Sequence, residues 1–234
     1  MKQVLIAEDE ASIREFVVIN LQRAGYDVLE AENGEQAMEL YEQNKDQIDI
    51  AVLDIMMPGM DGTEVCAAIR RSSGRVGIIM LTAKTQEADK ITSLTMGADD
   101  YVTKPFSPSE LVARVDALYR RVEFAQQKEP KAQSDTIAIG NFMLDTRRRT
   151  LTKEGKNIEL TQVEYQIVEY FFDHPGKIVD RTDILAAVWG EAYFGEEKIV
   201  DVNIRRLRMK IEDQPSAPQY IITVWGQGYK WNIE

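Results

Sequence analysis

Five short apolar runs punctuate the first half of the chain, at 3–7 (QVLIA), 26–31, 48–53, 76–81 (VGIIML) and 99–102. Amphipathic stretches such as SIREFVVINLQRAG and GEQAMELYEQNK fill the gaps between them. Short runs rich in β-branched residues read as strands buried on both faces. Strands that alternate with helices pair in parallel, because each helix carries the chain back across the sheet. The expected fold is therefore α/β, a doubly wound five-stranded parallel sheet covered by helices on both faces. Gly25 stands where a helix C-cap belongs and Asn33 where an N-cap would lie.

In such a sheet the C-terminal strand ends meet along one edge, which is where ligands bind. That edge would collect Glu8 and Asp9 after the first run, Asp54 after the third, Thr82 after the fourth and Lys104 after the fifth. Taken alone, LDIMMPGMDG (53–62) leaves Asp54 open between a partly wet, reactive carboxylate and an ordinary turn or capping Asp. The set of five is more restrictive. Three neighbouring carboxylates repel unless a cation lies among them, and hard oxygen ligands with room for water suit Mg²⁺. The lysine and hydroxyl then have an anion to hold, and a phosphoryl group fits. A carboxylate beside Mg²⁺ can itself act as nucleophile and become an aspartyl phosphate.

VLIAEDE, LDIMMPGMDG, MLTA and GADDYVTKPF together resemble the receiver domain of bacterial two-component response regulators, over residues 1–122. The resemblance implies a flavodoxin-like receiver whose Asp54 accepts a phosphoryl group from a sensor histidine kinase. Glu8, Asp9, Asp54 and the backbone carbonyl of Met56 would hold Mg²⁺, and Lys104 would pair with the phosphoryl group through a cis Lys104–Pro105 peptide. Thr82 and Tyr101 would form the switch, Thr82 moving to the phosphoryl group and Tyr101 filling the vacated space. Met56 and Lys84, beside the pocket, would influence the phosphoryl lifetime. Within 88–121 the resemblance pairs Lys90 with Glu110, Asp99 with Arg121 and Asp100 with Arg114 across a symmetric homodimer. That face would comprise the receiver's fourth helix, fifth strand and fifth helix, and phosphorylation would favour it.

EFAQQKEPKAQSD (123–135) is polar, contains Pro130 and reads as a linker. Strand-like segments follow over 136–159, with Gly140, Gly155 and Asn157 at the turns. LTQVEYQIVEYFFDH opens with a capping box, Thr161 and Glu164, and stops at His174-Pro175-Gly176. DRTDILAAVWG and EEKIVDVNIRRLRMKIED read as a second and a third helix, and YIITVWGQGYKWNI as a hairpin. In the third helix Val200, Ile204, Leu207 and Ile211 define a buried stripe, with Lys198, Asn203, Arg205, Arg206, Arg208 and Lys210 placed off it. A helix anchored on one face and cationic elsewhere suits the major groove of duplex DNA. The net charge of −11 opposes this only weakly, because most of the excess acid lies in residues 1–122.

The segment 136–234 resembles the winged-helix output domain of the OmpR/PhoB subfamily. By that resemblance 196–212 is the recognition helix and the loop 189–195 could touch RNA polymerase. Many relatives carry a wing Arg for the minor groove where this chain has Trp225, leaving Gln227, Lys230 and Trp225 itself as wing contacts. The single cysteine, Cys66, excludes an intramolecular disulfide and suits a reducing cytosol, so the expected location is cytoplasmic. No apolar run approaches the length needed to span a bilayer, and MKQVLIAEDE is no signal peptide. The expectation is a phosphorylation-controlled transcription regulator rather than an enzyme, with at most slow autodephosphorylation. A DNA-binding protein that uses its receiver only as a dimer scaffold stands beside it. A Mg²⁺-dependent phosphohydrolase would need a dedicated general acid or base near Asp54, and the sequence offers none.

Overall fold

The computed structural model describes residues 2–83, 97–127, 136–191, 193 and 195–233. The chain divides into two compact units, Met1–Glu123 and Phe124–Glu234.

In the first unit β1 (Gln3–Ala7), α1 (Ala11–Arg23), β2 (Asp27–Ala31), α2 (Gly34–Asn44), β3 (Ile48–Asp54), α3 (Gly62–Ser72) and β4 (Gly77–Ala83) alternate along the chain. They are followed by β5 (Asp100–Lys104) and α4 (Pro108–Gln127). The sheet runs β2-β1-β3-β4-β5 and every pairing is parallel. All seven residues of β3 are buried, and so are all of β4 except Ala83, as a sheet covered on both faces requires. Local signals end the helices where expected. The Asn33 side chain accepts from the Gln36 amide at the start of α2, and Gly25 takes the left-handed φ of +89° that follows α1. The winding reverses between β1 and β3, which opens a crevice at their C-terminal ends.

The expected linker begins later than its polarity implied. Residues 123–127 continue α4, because Glu, Phe, Ala and Gln all tolerate a helix and no breaker precedes Pro130. Residues 128–135, the rest of that linker, lie outside the described residues, as does Lys90.

The second unit opens with an antiparallel sheet, β6 (Thr136–Ile139), β7 (Phe142–Asp145), β8 (Thr150–Lys153) and β9 (Lys156–Ile158). Gly140 and Gly155 sit in turns at positive φ, but Asn157 is paired within β9 opposite Thr152. The turn missed by the sequence reading is 146–149. It has no Gly or Pro; instead the Asp145 carboxylate accepts from the amides of Arg147 and Arg148. Then come α5 (Gln162–Asp173), β10 (Ile178–Val179), α6 (Arg181–Trp189), α7 (Lys198–Ile211), β11 (Ile221–Val224) and β12 (Gly228–Trp231). The last two strands form the expected hairpin, and β10 joins it by pairing with β12. The Trp231 side chain is fully buried and meets Phe142 at 5.2 Å and Phe172 at 4.9 Å, tying the first sheet and α5 to the hairpin. His174 is the C-cap of α5 and its Nδ1 lies 2.9 Å from the Tyr170 carbonyl oxygen; Cys66 is core.

Candidate functional site

Glu8, Asp9 and Asp54 come together at the ends of β1 and β3. One carboxylate oxygen from each lies within 4.8 Å of the other two. Lys104, at the end of β5, reaches into the same place. Its Nζ is 2.7 Å from Glu8 Oε2 and 3.1 Å from Asp54 Oδ2. Glu8 is fully buried, Asp54 is 5% exposed and Asp9 is exposed. The partly wet tip expected for Asp54 is thus nearly closed, because β1 and β4 flank β3 and Lys104 lies over the carboxylate.

The electrostatics follow from that burial. Desolvation raises the pKa of Asp54, Lys104 opposes the rise and Asp9 adds to it. Glu8 is raised in the same way, by burial first, with Lys104 opposing and Asp54 adding. Burial would lower Lys104, but its hydrogen bond to Glu8 and the charges of Asp54 and Glu8 prevail and raise it. Three carboxylates and one ammonium leave the cluster short of positive charge, and the exposed Asp9 gives a route in. An oxygen-rich set of this kind fits a hard divalent cation.

Two supporting contacts gave no sequence signal. Arg14 donates from Nη1 to the carbonyl oxygens of Glu8, at 2.7 Å, and Asp9, at 3.4 Å, fixing the backbone between the two acids. Glu35 accepts from the Met60 amide at 3.0 Å and so holds the β3–α3 loop that carries Met56. Just past that loop, at the first residue of α3, a Cβ on Gly62 would stand 2.0 Å from the Asp54 carbonyl oxygen. Gly62→Ala is therefore expected to displace the Asp54 backbone, costing about 1–3 kcal/mol in urea denaturation and slowing any chemistry at Asp54. An unchanged midpoint and rate would show that the loop relaxes freely.

Thr82 is buried at the end of β4, with its hydroxyl 3.3 Å from the Ala83 carbonyl oxygen, and Tyr101 is also buried. The Lys104–Pro105 peptide is cis. The acids and guanidiniums expected to pair between subunits are engaged within the chain. Arg114 bonds Asp100 at 3.1 Å and Glu110 at 3.0 Å, while Asp99 pairs with Arg70 and accepts from the Ile78 amide. Arg121 is buried.

In the second unit the buried stripe of α7 is as expected, Val200, Ile204, Leu207 and Ile211 all being at most 1% exposed. Several of the cations are not where the stripe alone put them. Arg206 is 6% exposed and its guanidinium lies 3.0 Å from the fully buried Glu164. Asn203 is fully buried and donates to the Ile199 carbonyl. Lys210 Nζ lies 2.6 Å from Glu164 and also donates to the Glu159 carbonyl. Arg208 donates to the Ile221 carbonyl and the Thr223 hydroxyl of β11. Asn203 and Arg206 are therefore corrected from DNA-facing to buried residues, whereas Arg208 is half-buried and Lys210 exposed, each tethered at its tip. A helix packed by α5 on one side and a hairpin on another has two buried flanks, and a single apolar stripe reveals neither. Arg205 is exposed and Lys198 half-buried; in the hairpin Gln227 is exposed, Lys230 half-buried and Trp225 89% exposed.

Comparison with known proteins follows this division. The family model described as response regulator receiver domain matches residues 4–116, and that described as transcriptional regulatory protein, C terminal, matches 155–231. A solved mutant of RitR is 26% identical, with 100% of each chain covered and a TM-score of 0.77. The response regulator DrrB of Thermotoga maritima, described as an OmpR/PhoB homologue, is 30% identical over 99% of each chain, with a TM-score of 0.50. Among the described residues no helix is long and apolar enough to cross a membrane.

Proposed function

We propose how the switch works in this chain, which belongs to the response regulators of the OmpR/PhoB type, phosphorylation-regulated transcription regulators that join a receiver to a DNA-binding domain. The observation that carries the proposal is the cluster of Glu8, Asp9 and Asp54 bridged by Lys104 at one sheet edge. A sensor histidine kinase presents a phosphohistidine. An Asp54 carboxylate oxygen attacks phosphorus, the P–N bond breaks and its electron pair leaves with the imidazole. Glu8, Asp9, Asp54 and the Met56 carbonyl would hold Mg²⁺, which would neutralise charge on the transferred group. Lys104 exchanges its contact with Asp54 for one with a phosphoryl oxygen. The Thr82 hydroxyl turns from the Ala83 carbonyl to donate to another, and Tyr101 packs behind it.

Downstream, Asp99, Asp100, Glu110, Arg114 and Arg121 would exchange partners within the chain for partners in a second receiver, together with Lys90. Pairing raises the effective concentration of two DNA-binding units on adjacent half-sites of promoter DNA. Lys198, Arg205, Gln227 and Lys230 are the polar DNA contacts, with the tethered Arg208 and Lys210 beside them, and the loop 189–195 is the candidate RNA polymerase contact. The test is intact mass after incubation with a small acyl phosphate. A gain of one phosphoryl group with Mg²⁺, lost in EDTA, supports the proposal. No gain in Mg²⁺ would favour the scaffold reading.

Metal removal has a second, pH-dependent signature. Glu8 and Asp54 have raised pKa values in the folded chain, so without metal their contribution to stability is greatest on the acid side, below the ordinary carboxylate range. That contribution is lost as pH rises through the raised values and the charges appear. Mg²⁺ binds the ionised form, worth about 2.7 kcal/mol at a hundredfold excess over Kd. The difference in Tm with and without EDTA is expected to widen as pH rises through that range. A difference independent of pH would mean the metal binds elsewhere.

A further inference from the structure

The inward-tied side chains of α7 leave a small outward face. Asp201 is held by Arg181 at 2.7 Å and by the Tyr229 hydroxyl at 2.6 Å, on the hairpin side. Arg208 is committed to β11 and Lys210 to Glu164 and Glu159. Asn203 and Arg206 are buried against Ile199 and Glu164. The exposed helical positions are then Arg205, Met209 and the tethered Lys210, with Met209 57% exposed. Outside the helix's own backbone ladder, Arg205 and Met209 make no hydrogen bond or ion pair among the described residues. They stand at i and i+4, neighbours on one face.

We propose that Arg205 and Met209 are the base-reading pair of this helix, Arg205 taking a guanine edge and Met209 the 5-methyl group of a thymine. The proposal rests on the reading that α7 enters the major groove of duplex DNA. A guanidinium matches the O6 and N7 acceptors of guanine, and an unbranched, polarisable thioether packs on a methyl group. Four residues of helix rise about 6 Å, and base pairs stack about 3.4 Å apart. A helix lying along the groove therefore sets the two bases about two base pairs apart.

The test uses the full chain, with Mg²⁺ and a small acyl phosphate present, and a duplex it enriches from a random-sequence pool. Each thymine in turn is replaced by deoxyuridine, which removes only the methyl group, and each guanine by 7-deazaguanine, which removes N7. The wild type is expected to lose about tenfold in affinity at one guanine. It should lose about threefold to fourfold at one thymine, the worth of a buried methyl group, two positions away. Met209→Ala should bind the thymine duplex as weakly as wild type binds the deoxyuridine duplex, and be insensitive to that replacement. Met209→Leu should keep the sensitivity, and Arg205→Ala should lose the guanine dependence alone. An identical deoxyuridine penalty in wild type and Met209→Ala overturns this proposal while leaving DNA binding intact. Enrichment of no duplex overturns the DNA-binding reading and this one with it.

Discussion

Asp54→Asn is expected to abolish phosphoryl incorporation altogether while leaving the receiver folded. The amide is nearly isosteric with the carboxylate, so the surrounding strands lose no packing. Its oxygen is a poor nucleophile and its product with phosphorus would not persist. The substitution also removes one of three mutually repelling acids. Lys104 keeps its 2.7 Å contact with Glu8, so no buried ammonium is stranded. Burial raises the Asp54 pKa, so its ionised form is disfavoured where it stands. Without metal the variant should therefore be at least as stable as wild type near neutral pH. Intact mass and a thermal melt, measured together, separate the two effects. A phosphoryl gain in Asp54→Asn equal to wild type would move the acceptor to another residue. A lower melting temperature without metal would show that the Asp54–Lys104 contact outweighs the repulsion.

The second large effect lies in the other unit. Glu164 is fully buried, with Arg206 at 3.0 Å and Lys210 at 2.6 Å, and it also accepts from the Thr161 amide in the capping box of α5. Burial opposes ionisation of Glu164, but Arg206 and Lys210 prevail and hold its pKa below the ordinary value. Glu164→Ala removes the carboxylate and deprives the buried Arg206 guanidinium of its Glu164 countercharge, leaving it the neutral Asn203 oxygen at 3.3 Å. Breaking such a pair costs about 3–5 kcal/mol, a large part of a typical domain's stability. Trp189 and Trp231 are buried in this unit, so the change in tryptophan emission during urea denaturation reports on it. Replacing Glu164 and Arg206 together by Leu and Met should recover much of the loss, since a well-packed apolar pair can match a buried ion pair. The sign with pH is also determined. A carboxylate with a lowered pKa contributes stability above its unfolded value, and that stability is lost as pH falls through the folded one. Wild type should converge on Glu164→Ala in acid. A parallel offset at every pH would assign the loss to packing.

The contrast between Arg205 and Arg206 shows how far the sequence reaches. Neighbouring arginines in one helix carry no label saying which is spent inside. Arg206 is fixed by Glu164, Arg208 by Ile221 and Lys210 by Glu159, partners that lie from 13 to 51 residues away. The same limit applies to Arg14 and Glu35, which hold the receiver pocket through backbone carbonyls and amides that carry no side-chain signature. The turn at 146–149 escaped for a different reason: its signal is local, but a single Asp145 carboxylate replaces the usual Gly or Pro.

Much else was legible, for a physical reason. Strand and helix periodicity, the Asn33 and Thr161 caps and the left-handed glycines at 25, 140 and 155 all act within a few residues. The strand–helix order required a parallel sheet, and a parallel sheet brings its C-terminal ends to one edge. Glu8, Asp54 and Lys104 were therefore placed together by the sequence by itself. Only the tertiary structure decided that Asp54 is almost closed off, and which cations of α7 face outward. Both depend on what packs against an element from the side, and burial energies act between neighbours in space whatever their separation along the chain.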